Sequence, residues 1–234
     1  MPAEPALSFR QPARGELANL GHLVGSKSAR ECVVVDPAWN IEGILEVAAE
    51  DDMKLVGALA THYHQDHIGG SIFGMDIEGL AELHERHPVP VHVNKHEAEG
   101  TAKISGLSAG DIVGHEAGDA IELGGVRITL LHTPGHTPGS QCFLVEEPAT
   151  PGTLVSGDTL FLGSCGRVDL PGANPEDMYR SLNETLKRLP DDTWLFPGHL
   201  YSPEAHSTMG EQKRTNPFLR VASLEQFLGF MGVG

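Results

Sequence analysis

The sequence predicts an α/β fold whose sheets are mixed rather than purely parallel. Short apolar, β-branched runs recur along the chain, and stretches with apolar residues at helical spacing stand between them. In addition, residues 126–155 string three such runs together through Gly- and Pro-dense turns, a hairpin-like arrangement that a purely parallel sheet would not contain.

In chain order, residues 32–35 read as a strand and residues 41–49 as a helix, followed by a second strand at residues 55–60. Residues 77–84 carry a weaker helical pattern, and residues 89–93 form the next apolar run. Residues 100–119 are polar and irregular, so no element is predicted there. Strands follow at residues 126–131, 141–145 and 153–155. The clearest helix begins at Asn174-Pro175-Glu176-Asp177: Asn caps, Pro takes the first helical position, acids fill the first turn, and Met178, Leu182, Leu186 and Leu189 supply the apolar face. A strand at residues 193–196 and a helix at residues 223–230 complete the set. A strand resumes directly after the polar stretch, no repeat or linker interrupts the chain, and residues 1–234 are expected to form a single domain.

The net charge of −16 repels nucleic acid and anionic membranes, and the longest basic run is Lys213-Arg214. No window approaches the apolar length of a membrane span, and Met1-Pro2-Ala3-Glu4-Pro5 does not open an export signal, so a cytoplasmic protein is expected. Cys32, Cys142 and Cys165 are odd in number and widely separated, which suggests neither a disulfide framework nor a thiolate zinc site. A serine-hydrolase elbow, a dinucleotide fingerprint and a Walker loop are all missing.

The run at residues 55–60 leads into Thr61-His62-Tyr63-His64-Gln65-Asp66-His67, which places three histidines and an aspartate within six positions. Such a concentration of polar groups at a strand end is costly unless a metal gathers them, and imidazole with carboxylate suits zinc or iron. Three later strands each end in a Gly-containing turn bearing one ligand-type residue: His136 in Pro134-Gly135-His136-Thr137-Pro138-Gly139, Asp158 in Gly157-Asp158-Thr159-Leu160-Phe161, and His199 in Pro197-Gly198-His199. The isolated His22, His84, His87, His92, His96, His115, His132 and His206 read as surface or hydrogen-bonded core residues.

These four motifs, in this order, resemble the metallo-β-lactamase fold superfamily from Val33 to about Arg220. The resemblance implies an αββα sandwich of two mixed β-sheets flanked by helices, with the metal site at one edge between the sheets. It also implies two divalent metal ions, zinc first and iron as the other option. His62, His64 and His136 would hold one ion, Asp66, His67 and His199 the other, and Asp158 would bridge them. A water shared by two such ions loses a proton near neutral pH and becomes a nucleophile, and Asp66 would help orient it as the catalytic carboxylate.

Gly163-Ser164-Cys165-Gly166-Arg167 resembles an element of hydroxyacylglutathione hydrolases (glyoxalase II) and of persulfide dioxygenases, in which a basic residue helps place glutathione; Arg167 would take that role. Cys165 lacks a neighbouring base that would make it a nucleophile. With Gly234 so soon after His199, the separate helical domain of long glyoxalase II enzymes is not expected. The expected activity is hydrolysis of a glutathione-type thioester such as S-lactoylglutathione. The alternative is a persulfide dioxygenase with one iron held by His62, His136 and Asp158. The expected partner is a thiol-derived small molecule, a glutathione conjugate, with no nucleic acid or membrane, and a homodimer is the assembly considered.

Overall fold

The computed structural model describes residues 7–10 and 17–232. Two six-stranded sheets pack face to face. In the first, the order is Leu7–Arg10, His22–Ser26, Glu31–Val35, Lys54–Leu59, Val91–Asn94 and Ile112–His115, antiparallel through the first three strands and parallel thereafter. In the second, the order is Ser207–Thr208, Trp194–Pro197, Thr153–Gly157, Gln141–Glu146, Val126–His132 and Ala120–Leu123. Its one parallel pair joins Thr153–Gly157 to Trp194–Pro197. Both sheets are therefore mixed, as expected from the turn-rich middle of the chain.

Alternation along each strand explains the layering. Val33 and Val35 face the second sheet, where they meet Ile128, Leu130, Phe143 and Val145, whereas Cys32 and Val34 turn outward onto Ile41, Ile44 and Leu83 of the helices. Cys142 and Leu154 likewise turn away from the sheet interface onto Met178, Leu182, Leu186 and Phe227. Three apolar layers result, and helices cover both outer faces. Among the described residues, no helix is long and apolar enough to cross a membrane.

The structure departs from the sequence reading at several elements. Residues 100–119, expected to be irregular, contribute to the helix Ala98–Ser105 and hold the edge strand Ile112–His115. The strand pairs on one side only and no residue in it is fully buried, so it has no apolar run to reveal it. The helix expected at residues 77–84 begins later, at Leu80, because Ile77 ends a short hairpin of Gly70–Ile72 with Met75–Ile77. The helix capped by Asn174 forms over Pro175–Arg180, then widens to a π-turn at Ser181–Thr185 and tightens to a 3₁₀ turn at Leu186–Arg188.

Topology gathers the site. Val126–His132 and Thr153–Gly157 are each antiparallel to Gln141–Glu146, so they run in one direction, and Trp194–Pro197 runs parallel to Thr153–Gly157. Their C-terminal ends, which lead to His136, Asp158 and His199, therefore lie at the same edge. The first sheet joins them there, since Gln141 donates through its backbone N–H to Thr61 O at 2.9 Å and through Nε2 to Ala60 O at 3.0 Å.

Candidate metal centre

After the strand Lys54–Leu59, His64 stands at the N-terminus of a single helical turn, Gln65–Ile68, whose end at Gly69 takes a φ of 87°. That turn brings His67 back beside His62, with ring centroids 4.3 Å apart. The donor atoms of all seven residues singled out from the sequence converge. They form three overlapping groups whose ligand atoms lie within 4.8 Å of one another: His62, His64 and His136; His62, His67 and Asp158; and Asp66, His67 and His199.

His64 Nδ1 is 3.0 Å from His136 Nε2, and His67 Nε2 is 3.1 Å from His199 Nε2. Two nitrogens each about 2.1 Å from one ion at ordinary coordination angles stand roughly 3.0–3.4 Å apart. Asp158 faces both sides: Oδ2 is 3.6 Å from His136 Nε2, while Oδ1 is 3.3 Å from His67 Nε2 and 3.4 Å from His199 Nε2. Asp66 Oδ2 lies 3.3 Å from His199 Nε2 and 3.5 Å from His67 Nε2. His62 Nε2 and Asp158 Oδ1 are buried and make no hydrogen bond. Buried polar atoms of this kind need a partner, and a divalent cation at each cluster satisfies both, so the donor set fits metal binding.

The outer ring nitrogens of His62, His67, His136 and His199 are each held by a group outside the cluster. His136 Nδ1 donates to Arg167 O at 2.8 Å and His199 Nδ1 to Leu17 O at 3.0 Å, which turns both Nε2 atoms inward. Asp36 organises the other strand end. Its Oδ1 accepts from Thr61 N at 2.7 Å, and Oδ2 accepts from Thr61 Oγ1 at 2.7 Å and from His67 Nδ1 at 2.9 Å. Because Thr61 spends its hydroxyl proton on Asp36, it accepts from His62 Nδ1 at 3.0 Å and leaves His62 Nε2 bare. Asp66 is fixed at both ends: Asn19 Nδ2 donates to Oδ2 and Trp39 Nε1 to the backbone carbonyl, each at 3.0 Å.

Electrostatics divide the cluster. Burial, then the neighbouring histidines, holds His62 well below its ordinary value, and the same causes lower His64 to about 4. Burial also opposes charge on His67 and His199, but the carboxylates of Asp158 and Asp66 outweigh it, raising His67 well above the imidazole range and His199 to about 9. Against their own burial, these histidines hold Asp66 and Asp158 below the usual carboxylate range. The cluster therefore keeps its acids ionised.

Arg167 lies on the rim. Its carbonyl holds His136, while its exposed guanidinium forms a two-pronged pair with Asp169, at 2.7 Å for each contact. Tyr201 stacks on His199 with ring centroids 4.7 Å apart and planes 8° apart; burial, then the negative charges of Asp158 and Asp66, pushes its phenol up to about 12. The sequence reading missed Asp36, Asn19, Trp39 and Tyr201, and only Tyr201, two positions after His199, carried a local signal. None of the eight histidines read as structural joins a ligand group among the described residues. His92 and His115 hydrogen-bond to each other at 2.8 Å, His87 Nε2 donates to Leu55 O at 3.0 Å, and His206 stacks on Phe196.

Residues 21–199 match the metallo-beta-lactamase superfamily. The chain belongs to that superfamily. It is 32% identical to a hydroxyacylglutathione hydrolase of Synechococcus over 86% of this chain and 84% of the relative. It is also 32% identical to the human mitochondrial persulfide dioxygenase ETHE1, over 90% of this chain and 75% of the relative. Among solved structures, ETHE1 from Myxococcus xanthus superposes with a TM-score of 0.78 at 29% identity, covering 96% of this chain and 90% of that one. Relatives of this chain thus include both a hydroxyacylglutathione hydrolase and a persulfide dioxygenase.

Proposed function

We propose that this protein is a two-metal hydrolase of a glutathione-type thioester, S-lactoylglutathione being the substrate to test. The observation that carries this reading is that Asp66, His67 and His199 form a second donor group with hydrogen-bonded supports of its own, apart from those of His62 and His136. Asp36 and the Leu17 carbonyl hold the outer nitrogens of His67 and His199, Asn19 fixes Asp66 Oδ2, and the Nε2 atoms of both histidines meet that oxygen within 3.5 Å. That second, separately supported set gives a second ion a place.

His62, His64 and His136 would hold one ion, Asp66, His67 and His199 the other, with Asp158 between them. When bound there, such ions, zinc foremost, would supply a water of lowered pKa and a Lewis acid for the thioester carbonyl. Asp66, kept ionised and pinned by Asn19 and Trp39, orients the attacking water. Water adds to the carbonyl carbon, the C–S bond breaks, and a carboxylate and a thiol leave, with no covalent link to the chain. At the rim Arg167 offers a cation in a chain of net charge −16. Its pair with Asp169 is exposed, so a substrate carboxylate exchanges with Asp169 at little cost.

Similarity to ETHE1 favours a second reading, a persulfide dioxygenase with one iron on His62, His136 and Asp158. Incubation with S-lactoylglutathione separates the two: thiol release without oxygen uptake is expected. Absence of thiol release together with oxygen consumption on glutathione persulfide overturns the hydrolase reading.

A further inference from the structure

Glu97 belongs to none of the motifs above, yet its carboxylate touches both loops that carry His62, His64 and His136. It immediately precedes the helix Ala98–Ser105, where its backbone carbonyl accepts from Thr101 N at 2.8 Å, and its side chain is fully buried. Oε2 accepts from Tyr63 N at 2.8 Å, the peptide between His62 and His64. Oε1 accepts from Gly139 N at 2.7 Å and from Thr137 Oγ1 at 2.9 Å, on the loop of His136. None of these partners adjoins Asp66, His67 or His199.

Two further observations show that the space is shaped for this group. A Cβ on Gly139 would come within 2.7 Å of both Cγ and Oε1 of Glu97, so the glycine in Pro138-Gly139 leaves room for the carboxylate. All three of its donors are neutral, so burying an ionisable group here carries a desolvation cost that a neutral filler would avoid.

We propose that Glu97 is a positioning residue for the first centre: it sets the separation between the His62–His64 pair and His136, and thereby the metal affinity of that centre alone. This rests on the two-centre reading above. Glutamine is nearly isosteric but has one acceptor oxygen. Whichever way it turns, its amide N–H groups face either the Tyr63 N–H or the Thr137–Gly139 donors, and one loop is released.

The test is equilibrium dialysis of the metal-stripped full chain against graded zinc, with metal per chain measured and with cobalt absorption as a second readout. Glu97→Gln is expected to keep the second metal and to bind the first about 10- to 100-fold more weakly. Thr137→Val, which removes one of the three hydrogen bonds, is expected to shift the same metal by less. In a His199→Ala background Glu97→Gln should weaken the remaining ion, and in a His64→Ala background it should not. Circular dichroism of the metal-stripped variants reports folding; if Glu97→Gln fails to fold, Thr137→Val decides, and wild-type affinities for it overturn the proposal. Equal weakening of both metals by Glu97→Gln, or weakening of neither, also overturns it. A wild-type chain that takes up only one metal overturns the two-centre reading itself.

Discussion

Gly198→Ala places a methyl group inside the candidate metal centre. A Cβ there would lie 2.7 Å from Asp158 Oδ1, 2.9 Å from His67 Cε1 and 3.0 Å from the backbone carbon of Gly157. Ordinary contact begins near 3.4 Å, so the carboxylate and the imidazole would have to retreat by about 0.7 Å and 0.5 Å. The imidazole has little slack, because His67 is tied to Asp36 through Nδ1, and the third neighbour is backbone. Metal–ligand distances tolerate only about 0.2 Å, so displacement on this scale should weaken binding at least about tenfold, roughly 1.4 kcal/mol. Because Asp158 faces both clusters, both metals should be affected. Gly198 does not adopt a positive φ, so backbone strain adds nothing, and the fold should lose only the roughly 1–3 kcal/mol of local overpacking. The assay is metal content after dialysis, paired with urea unfolding of the metal-stripped variant. Gly229→Ala, on the helix Leu224–Phe230 with no atom within 4 Å of its Cβ, is the control and should be neutral or stabilising by about 1 kcal/mol at most. If Gly198→Ala takes up two metals with wild-type affinity, the convergence of Asp158 and His67 on metal is refuted.

Arg167→Ala should raise KM for an anionic thioester more than it lowers kcat, because the carbonyl that holds His136 remains while the guanidinium is lost; an unchanged KM removes Arg167 from the substrate site. Burial raises the thiols of Cys32 and Cys165 to about 12 and that of Cys142 to about 11, all above the working pH and therefore protonated. Native protein at pH 8 should resist iodoacetamide and be alkylated fully only in denaturant, whereas rapid labelling of any cysteine would contradict this burial. Metal uptake by metal-stripped protein at pH 7 should release protons, since His199, raised to about 9, and His67, raised well above the imidazole range, carry protons that a metal must displace. Calorimetry in buffers of different ionisation enthalpy measures that release, and the part due to His199 should fall away as pH rises through about 9; uptake with no proton release at pH 7 contradicts the pairing of these histidines with Asp66 and Asp158.

The central part of the site was legible because it is local. His62, His64, Asp66 and His67 stand within one strand end and one helical turn, and His136, Asp158 and His199 each sit in a Gly-containing turn after an apolar run. What supports them was not legible, because it spans long separations and often uses backbone atoms. The Leu17 carbonyl holds His199, the Arg167 carbonyl holds His136, and Asp36 reaches His67, contacts that leave no pattern in neighbouring residues. In the fold, strands with continuous apolar runs were readable, such as Glu31–Val35 and Gln141–Glu146. His22–Ser26 was missed despite being fully buried, since His22, Gly25 and Ser26 break its run. Ser207–Thr208 was missed because two half-buried polar residues carry no period at all.

The identity and number of metals in protein purified without added metal test the two-centre hydrolase most directly, because each reaction class requires its own metal content. Two divalent ions per chain are expected, both removed by chelation together with thioester hydrolysis and both restored by zinc. A single iron per chain, accompanied by oxygen consumption on glutathione persulfide, would contradict it.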